Sequence, residues 1–274
     1  MAIIHATTAD EFITALRTAG NEIYIDNDID FNGYEFTQST GVSSVTVHGQ
    51  GHNLSNIQYS YNGARFSQLS GAGSNWDEVN FINCLCQTTY DAAFFDGRNA
   101  RFTFDKCKFQ GKFFNFAYRQ VTFNKCAFAF EDGLAYLHWS NGASGEFYQC
   151  YFDFKEQLSG HRWITNTSNI DHVENCYFKG KITGQNTHLF SVGGNTFINN
   201  VINIEFVNSG AFKIDYAGAP ATVSIYNATK AAGATITPQD NIVGLPNSDM
   251  QATSAADVQR VSQAIAATGF PIVY

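Results

Sequence analysis

Charge is scarce in this chain, and the charge present is skewed to acid. Only 15% of the 274 residues are Asp, Glu, Lys or Arg, and 24 acidic side chains outnumber 16 basic ones for a net charge of −8. So little charge beside 44% hydrophobic residues excludes a disordered chain. The acidic balance opposes a main role on nucleic acid or on an anionic membrane. No run is long and apolar enough to span a bilayer, so membrane insertion is not expected. The start, Met1-Ala-Ile-Ile-His5, lacks the basic segment and the cleavage site of a signal peptide. The expectation is therefore a protein made in the cytosol and used there, or released by lysis. Proline, at 4, is rare, and stretches that favour helix are few. What is abundant is phenylalanine, at 25 residues, set among Asn-rich and Gly-rich stretches, a composition that favours β structure.

An internal repeat accounts for most of this composition. An apolar residue, two variable residues, Cys, one variable residue and a second apolar residue recur along the chain. The copies are Phe81-Ile-Asn-Cys84-Leu-Cys86, Phe104-Asp-Lys-Cys107-Lys-Phe109 and Phe123-Asn-Lys-Cys126-Ala-Phe128, then Phe147-Tyr-Gln-Cys150-Tyr-Phe152, Val173-Glu-Asn-Cys176-Tyr-Phe178 and Phe197-Ile-Asn-Asn200-Val-Ile202. The central positions 84, 107, 126, 150, 176 and 200 are separated by 23, 19, 24, 26 and 24 residues. A period in the low twenties with variable gaps fits a β-solenoid whose loops differ from coil to coil. A leucine-rich repeat has a similar period, but its leucine framework and helical segment are missing.

Strand alternation lets Cys84 and Cys86 share a face, but Phe81 and Cys84 are three apart. A two-residue corner between two strands brings both inward. The residue before each Cys is Asn83, Lys106, Lys125, Gln149 or Asn175, with Asn199 in the last copy. Asn tolerates the left-handed backbone such a corner needs. Stacking at about 4.8 Å then predicts inward ladders. One holds Phe81, Phe104, Phe123, Phe147, Val173 and Phe197. A second holds Cys86, Phe109, Phe128, Phe152, Phe178 and Ile202. A third holds Cys84, Cys107, Cys126, Cys150 and Cys176, expected as reduced, buried apolar side chains. Zinc at Cys84-Leu-Cys86 would need two more ligands, which no suitably spaced pair supplies, so no metal and no cofactor is expected. A second aromatic segment per coil, such as Phe114-Asn-Phe116 or Leu137-His-Trp139, reads as the next strand.

An open solenoid needs closing at its ends. Thr8-Ala-Asp-Glu11 is a capping box leading into Phe12, Ile13, Ala15 and Leu16, with Gly20 ending a helix over about 8–19. At the other end, Thr253 or Ser254 starts a helix carrying Val258, Val261 and Ile265. Gly269 stops it, and Phe270-Pro-Ile272-Val-Tyr274 trails as an apolar tag. The expected organisation is an all-β, right-handed parallel β-helix over 1–250, and over 251–274 a C-terminal helix and tail that caps the stack or attaches it to a partner. Val258, Val261, Ile265, Phe270, Ile272 and Tyr274 are the candidate attachment residues.

The opening helix, the Ile23–Ile25 strand, the turn Val47-His-Gly-Gln-Gly-His-Asn-Leu54 and the Asn-Cys-x-Phe coils resemble the pectin-lyase-like β-helix superfamily over roughly residues 5–245. The resemblance is specific for fold and weak for function, since that superfamily holds lyases, hydrolases, tailspikes and inert structural modules. A short β-helix ending in a helix and a Gly-Phe-Pro-Ile-like tag is most similar to bacteriophage virion proteins. That likeness implies a non-enzymatic virion component (a capsid decoration, a head fibre or a tail-associated protein) on the particle surface, partnered by other virion proteins. Tailspikes imply a homotrimer, although no trimerising coiled coil is visible here. The alternative on the same scaffold is a polysaccharide-degrading lyase or hydrolase of the tailspike type.

Catalytic signals are thin. A lyase resembling this superfamily needs a calcium-binding acidic cluster, for which Asp26, Asp28 and Asp30 are candidates, but alternate acids on one strand more often form a solvated face. A glycosidase needs two facing carboxylates, which Glu131 or Asp132 with Asp153 or Glu156, or Asp91 and Asp96, could supply. An acidic solenoid offers such pairs by chance. His138, His161, His172 and His188 recur without any Gly-x-Ser-x-Gly elbow. Hence no catalytic residue is assigned. Glycan binding has firmer candidates in the aromatics Trp76, Tyr90, Tyr118, Tyr148, Tyr151 and Tyr177, with Trp76, Tyr151 and Tyr177 foremost. The two tyrosines sit between the Cys and Phe of their repeats, where side chains should point outward and either meet sugar rings or stack on each other as a ladder.

Overall fold

The structure is a computed structural model. It describes residues 2–31, 40–42, 44–56, 69–71, 77–87, 95–96, 100–111, 113–117, 120–130, 136–139, 144–157, 162–166, 172–183, 188–190, 196–198 and 200–206; beyond these it describes only the strands at 213–215, 223–225, 242–243 and 250–252. The chain winds as a parallel β-helix. Each central coil contributes one strand to each of three sheets of nine, ten and seven strands, and every described strand pair is parallel. One coil runs Ala100–Asp105 in the nine-stranded sheet, Lys108–Gly111 in the ten-stranded sheet and Phe113–Ala117 in the seven-stranded sheet. The second aromatic segments form the seven-stranded sheet, with Phe114 opposite Leu137 and Leu137 opposite Ile164.

The corner between the first two sheets is the one the repeat anticipates. Asn83, Lys106, Lys125, Gln149 and Asn175 have φ of 54°, 54°, 52°, 56° and 54°. Five coils thus turn on one left-handed residue each, which swings the following Cys inward. The first ladder is in register from Phe81 through Phe104, Phe123 and Phe147 to Val173 and Phe197. The second runs from Cys86 through Phe109, Phe128, Phe152 and Phe178 to Ile202. The two meet inside, where Phe104 and Phe123 stack at 5.2 Å and Phe109 lies edge-on to Phe123 at 5.6 Å. All six cysteines are free and fully buried. Cys107, Cys126 and Cys150 each donate their S–H to a Phe carbonyl of the preceding coil, at 3.4, 3.3 and 3.3 Å. Burial pushes the thiols of Cys86, Cys126 and Cys176 well above their ordinary range.

The N-terminal closure is a helix over Ala9–Leu16 that buries Phe12, Ile13, Ala15 and Leu16. Its capping box is complete: the Glu11 N–H donates to Thr8 Oγ1 at 3.3 Å, and the Thr8 N–H donates to Glu11 Oε2 at 3.2 Å. The helix ends three residues before the expected limit. The Arg17 and Thr18 N–H groups tighten onto Thr14 and Ala15, and the buried Asn21 amide caps the Ala15 carbonyl at 2.9 Å. Gly20 follows at φ 76°. At the far end the ladder continues through Met250–Ala252, paired with Val223–Ile225, across the expected boundary at 250. Residues 253–274, with Val258, Val261, Ile265, Phe270, Ile272 and Tyr274, lie outside the described residues.

Candidate binding face

Strand alternation divides the nine-stranded sheet into inward rows of Ile, Val and Phe and two outward rows that are polar except at Ile82. One outward row holds Glu22, Thr46, Asn80, Thr103, Thr122, Glu146 and His172, each opposite the next or carried on by register. The other holds His5, Tyr24, His48, Ile82, Asp105, Asn124, Tyr148 and Glu174. Apart from the exposed His5, all are half-buried, shoulder to shoulder with their neighbours. This builds a long, flat, hydrogen-bonding surface bounded on one side by the left-handed corner.

Each end of the face carries a cluster of tyrosine, histidine and glutamate. At the N-terminal end Tyr24 is sandwiched between His5 and His48, with ring centroids 5.5 and 4.5 Å away. Both faces of its ring are therefore taken, and only its edge and hydroxyl face outward. His5 Nδ1 lies 2.8 Å from Asp26 Oδ2, and His48 Nε2 contacts Glu22 Oε2. Beside this stack is a shallow cleft of about 190 Å³ between Gly20, Asn21, Glu22, Ser44, Thr46, Glu78 and Asn80. At the other end Tyr148 leans on His172 at 5.2 Å. His172 Nε2 is 3.1 Å from Glu174 Oε2, while Glu146 accepts from Thr122 at 3.0 Å and from Gln120 at 3.3 Å. Burial, with the Glu146 and Glu174 charges beside it, holds the Tyr148 phenol above its ordinary value, so it stays a hydroxyl donor. Glu22, Glu146 and Glu174 on this face are already engaged by neighbouring side chains. That suits fixed acceptors for a bound polar molecule better than groups free to move a proton.

Of the residues singled out from sequence, Tyr148 and His172 lie on this face and Asp26 holds His5 at its N-terminal end, Tyr90 and Tyr118 lie outside the described residues, and the others fall elsewhere. Tyr151 and Tyr177 do stack on each other, at 5.8 Å, as the ladder alternative expects. They were expected to point into solvent, yet only 6% and 2% of their surfaces are exposed. Their neighbours Ala127 and Asp153 on the same outward rows are equally covered, so neither ring offers a free face to a sugar. Trp76 lies outside the described residues. Asp26, Asp28 and Asp30 brace adjacent coils. Gln50 donates to Asp26 at 3.1 Å, the Asn53 N–H to Asp28 at 2.8 Å and Asn56 to Asp30 at 2.7 Å. Among the described residues no three His, Cys, Asp or Glu side chains are grouped to hold a metal ion. Of the proposed carboxylate pairs, Asp153 is held by Lys155 at 2.8 Å and Glu156 by Lys181 at 3.2 Å. Glu131, Asp132 and Asp91 lie outside the described residues, and nothing is described of the Asp96 side chain. Among the described residues no helix is long and apolar enough to cross a membrane.

The polar face was missed because its residues are not a motif. Only after the coil length is known do Glu22 and Tyr24, or Glu146 and Tyr148, fall on one surface. The available signal was the alternation Glu-x-Tyr on two strands that the ladder fixes as outward.

Residues 3–127 match a family model described as "Putative pectate lyase-like adhesive domain". The matched span carries the N-terminal cluster, the cleft and the first six strands of the polar face, through Gln120–Asn124. It is less than half of the chain. No curated protein matches. Among solved structures, the chain aligns with "L. reuteri 53608 SRRP" at 12% identity over 91% of this chain and 98% of that one, with a TM-score of 0.32.

Proposed function

We propose that this chain is a non-catalytic adhesion module, a β-helix that presents the outer face of its nine-stranded sheet to a surface glycan. The observation that carries this reading is the match of residues 3–127 to an adhesive-domain model, on the same coils that build the first two-thirds of the polar face. The composition of the face supports it. Thr, Asn, Glu, His and Tyr side chains in two straight rows supply donors and acceptors at the spacing of the coils, about 4.8 Å. Because the rings of Tyr24 are stacked away, recognition rests on hydrogen bonds rather than on ring stacking.

The test is substitution of two central, outward threonines. Thr46→Arg and Thr122→Arg place bulk on the face without touching the inward ladders. Retention on a glycan array should fall at least tenfold while the melting temperature stays within a few degrees. Unchanged retention by both variants would remove the face from the account of binding.

A narrower form of the same reading sets the module on a phage particle, held through residues 251–274. Its support is the sequence resemblance alone. Deleting 253–274, beyond the last described strand, should then abolish attachment to the particle while the coils remain folded, and normal attachment would sink it.

A further inference from the structure

Most cations with described side chains have an ionic or other partner. Arg101 pairs with Glu78, Lys155 with Asp153 and Lys181 with Glu156, and Arg17 and Lys179 have partners of their own. The three with none among the described residues are Lys106, Lys108 and Lys125, and they sit together. Asp105 is opposite Asn124 and Lys108 opposite Ala127, both at an offset of 19 residues, so Lys106 stacks on Lys125 in register. Their backbones are therefore about 4.8 Å apart along the corner. Like charges placed directly opposite repel, and among the described residues no carboxylate lies within ion-pairing distance to relieve them. Both lysines also occupy the left-handed region, at φ 54° and 52°, where Asn serves two of the other corners. Two successive coils thus accept a backbone penalty and a charge repulsion at one place. The corner continues in both directions with amides, Asn83 below and Gln149 and Asn175 above, so five donor side chains run in one line along the edge of the polar face.

We infer that this corner is the anion-reading edge of the adhesion surface, and that the glycan bound is acidic: a linear chain bearing carboxylate or sulfate groups, laid along the solenoid with its charges on Lys106 and Lys125. The inference rests on the adhesion reading and specifies its ligand. A linear polyanion fits a linear row of donors, and charge on the glycan removes the repulsion between the stacked lysines. The net charge of −8 argues against nucleic acid, whose denser charge would be repelled by the rest of the molecule.

The experiment uses the full chain and three immobilised probes: hyaluronan, heparin and neutral dextran. The variant is Lys106→Asn with Lys125→Asn, which removes both charges and puts a residue that tolerates the left-handed backbone at each corner. Lys155→Asn with Lys181→Asn makes the same change of charge at ion-paired sites. The parent should bind at least one acidic probe and leave dextran. The corner variant should lose that binding at least tenfold, with a melting temperature equal to the parent's or higher, and the control should keep most of it. Weakening with added salt should be steeper for the parent than for the corner variant. Equal binding by parent and corner variant overturns the inference. Binding to dextran or another neutral glycan, indifferent to the corner lysines, overturns the inference and leaves the adhesion reading standing. Retention of no glycan at all overturns both. Lysine-dependent binding to duplex DNA with none to acidic glycan overturns the choice of glycan.

Discussion

Gly49 lies directly under Cys84: a Cβ on Gly49 would stand 2.6 Å from the Cys84 Sγ, from its Cα and from the Asn83 carbonyl oxygen. The cysteine ladder therefore ends on a glycine. The second coil takes a longer corner here, seven residues from Val47 to Leu54 where later coils take five from Phe to Phe, and its backbone must run flat against the coil above. Gly49→Ala should cost about 1–3 kcal/mol, because the contact is with backbone that cannot swing away. Urea unfolding of the variant checks it. A midpoint unchanged from the parent would mean that the coils separate more easily than the ladder implies.

The Phe ladders set the stability of the middle of the stack. Phe123 is fully buried, stacked on Phe104 and Phe147 and met edge-on by Phe109 and Phe128. Phe123→Ala removes a ring that no neighbour can replace, and should destabilise by about 3–5 kcal/mol in equilibrium unfolding. Phe123→Leu keeps most of the volume and should cost markedly less.

The six thiols give a probe of the fold that needs no mutation. All are fully buried, and the S–H groups of Cys107, Cys126 and Cys150 are bonded to carbonyls inside the stack. Ellman's reagent should find none in the native protein and six after denaturation. Rapid reaction of two or more in the native state would contradict the buried ladder.

Acid should loosen the N-terminal closure first. Backbone and side-chain hydrogen bonds from Thr7 hold the Glu11 carboxyl below its ordinary value, and the Asn53 N–H does the same for Asp28. A carboxylate whose folded pKa is depressed lends stability above its unfolded value, and that contribution is lost as pH falls through the folded one. The melting temperature should hold near neutrality and drop below the usual carboxylate range. Glu11→Gln should flatten part of that drop, and an identical pH profile would show that the capping box does not carry it.

The sequence was most legible where its repeat was strict. From Phe81 to Ile202 the spacing of Phe, Cys and Phe determines which residues face inward, and the residue before each Cys marks the corner, because only a left-handed step can turn both Phe81 and Cys84 inward. The polar face was not legible, since Glu22 and Glu146 are over a hundred residues apart and share a surface only through the winding of the coils. Tyr151 and Tyr177 illustrate the other limit. Alternation correctly sets them opposite the inward Phe152 and Phe178, but it carries no information on whether an outward side chain is covered. The Lys106–Lys125 pair was visible as sequence. Its meaning depends on the absence of nearby carboxylates among the described residues, which one-dimensional spacing cannot supply.

The most direct test of the adhesion reading incubates the full chain with a panel of acidic and neutral surface glycans, and measures both retention and the length of the recovered glycan by mass spectrometry. Retention of an acidic glycan recovered at full length is the expected result. Recovery of shortened or unsaturated products would show an enzyme on this scaffold, and retention of no glycan would contradict the adhesion reading itself.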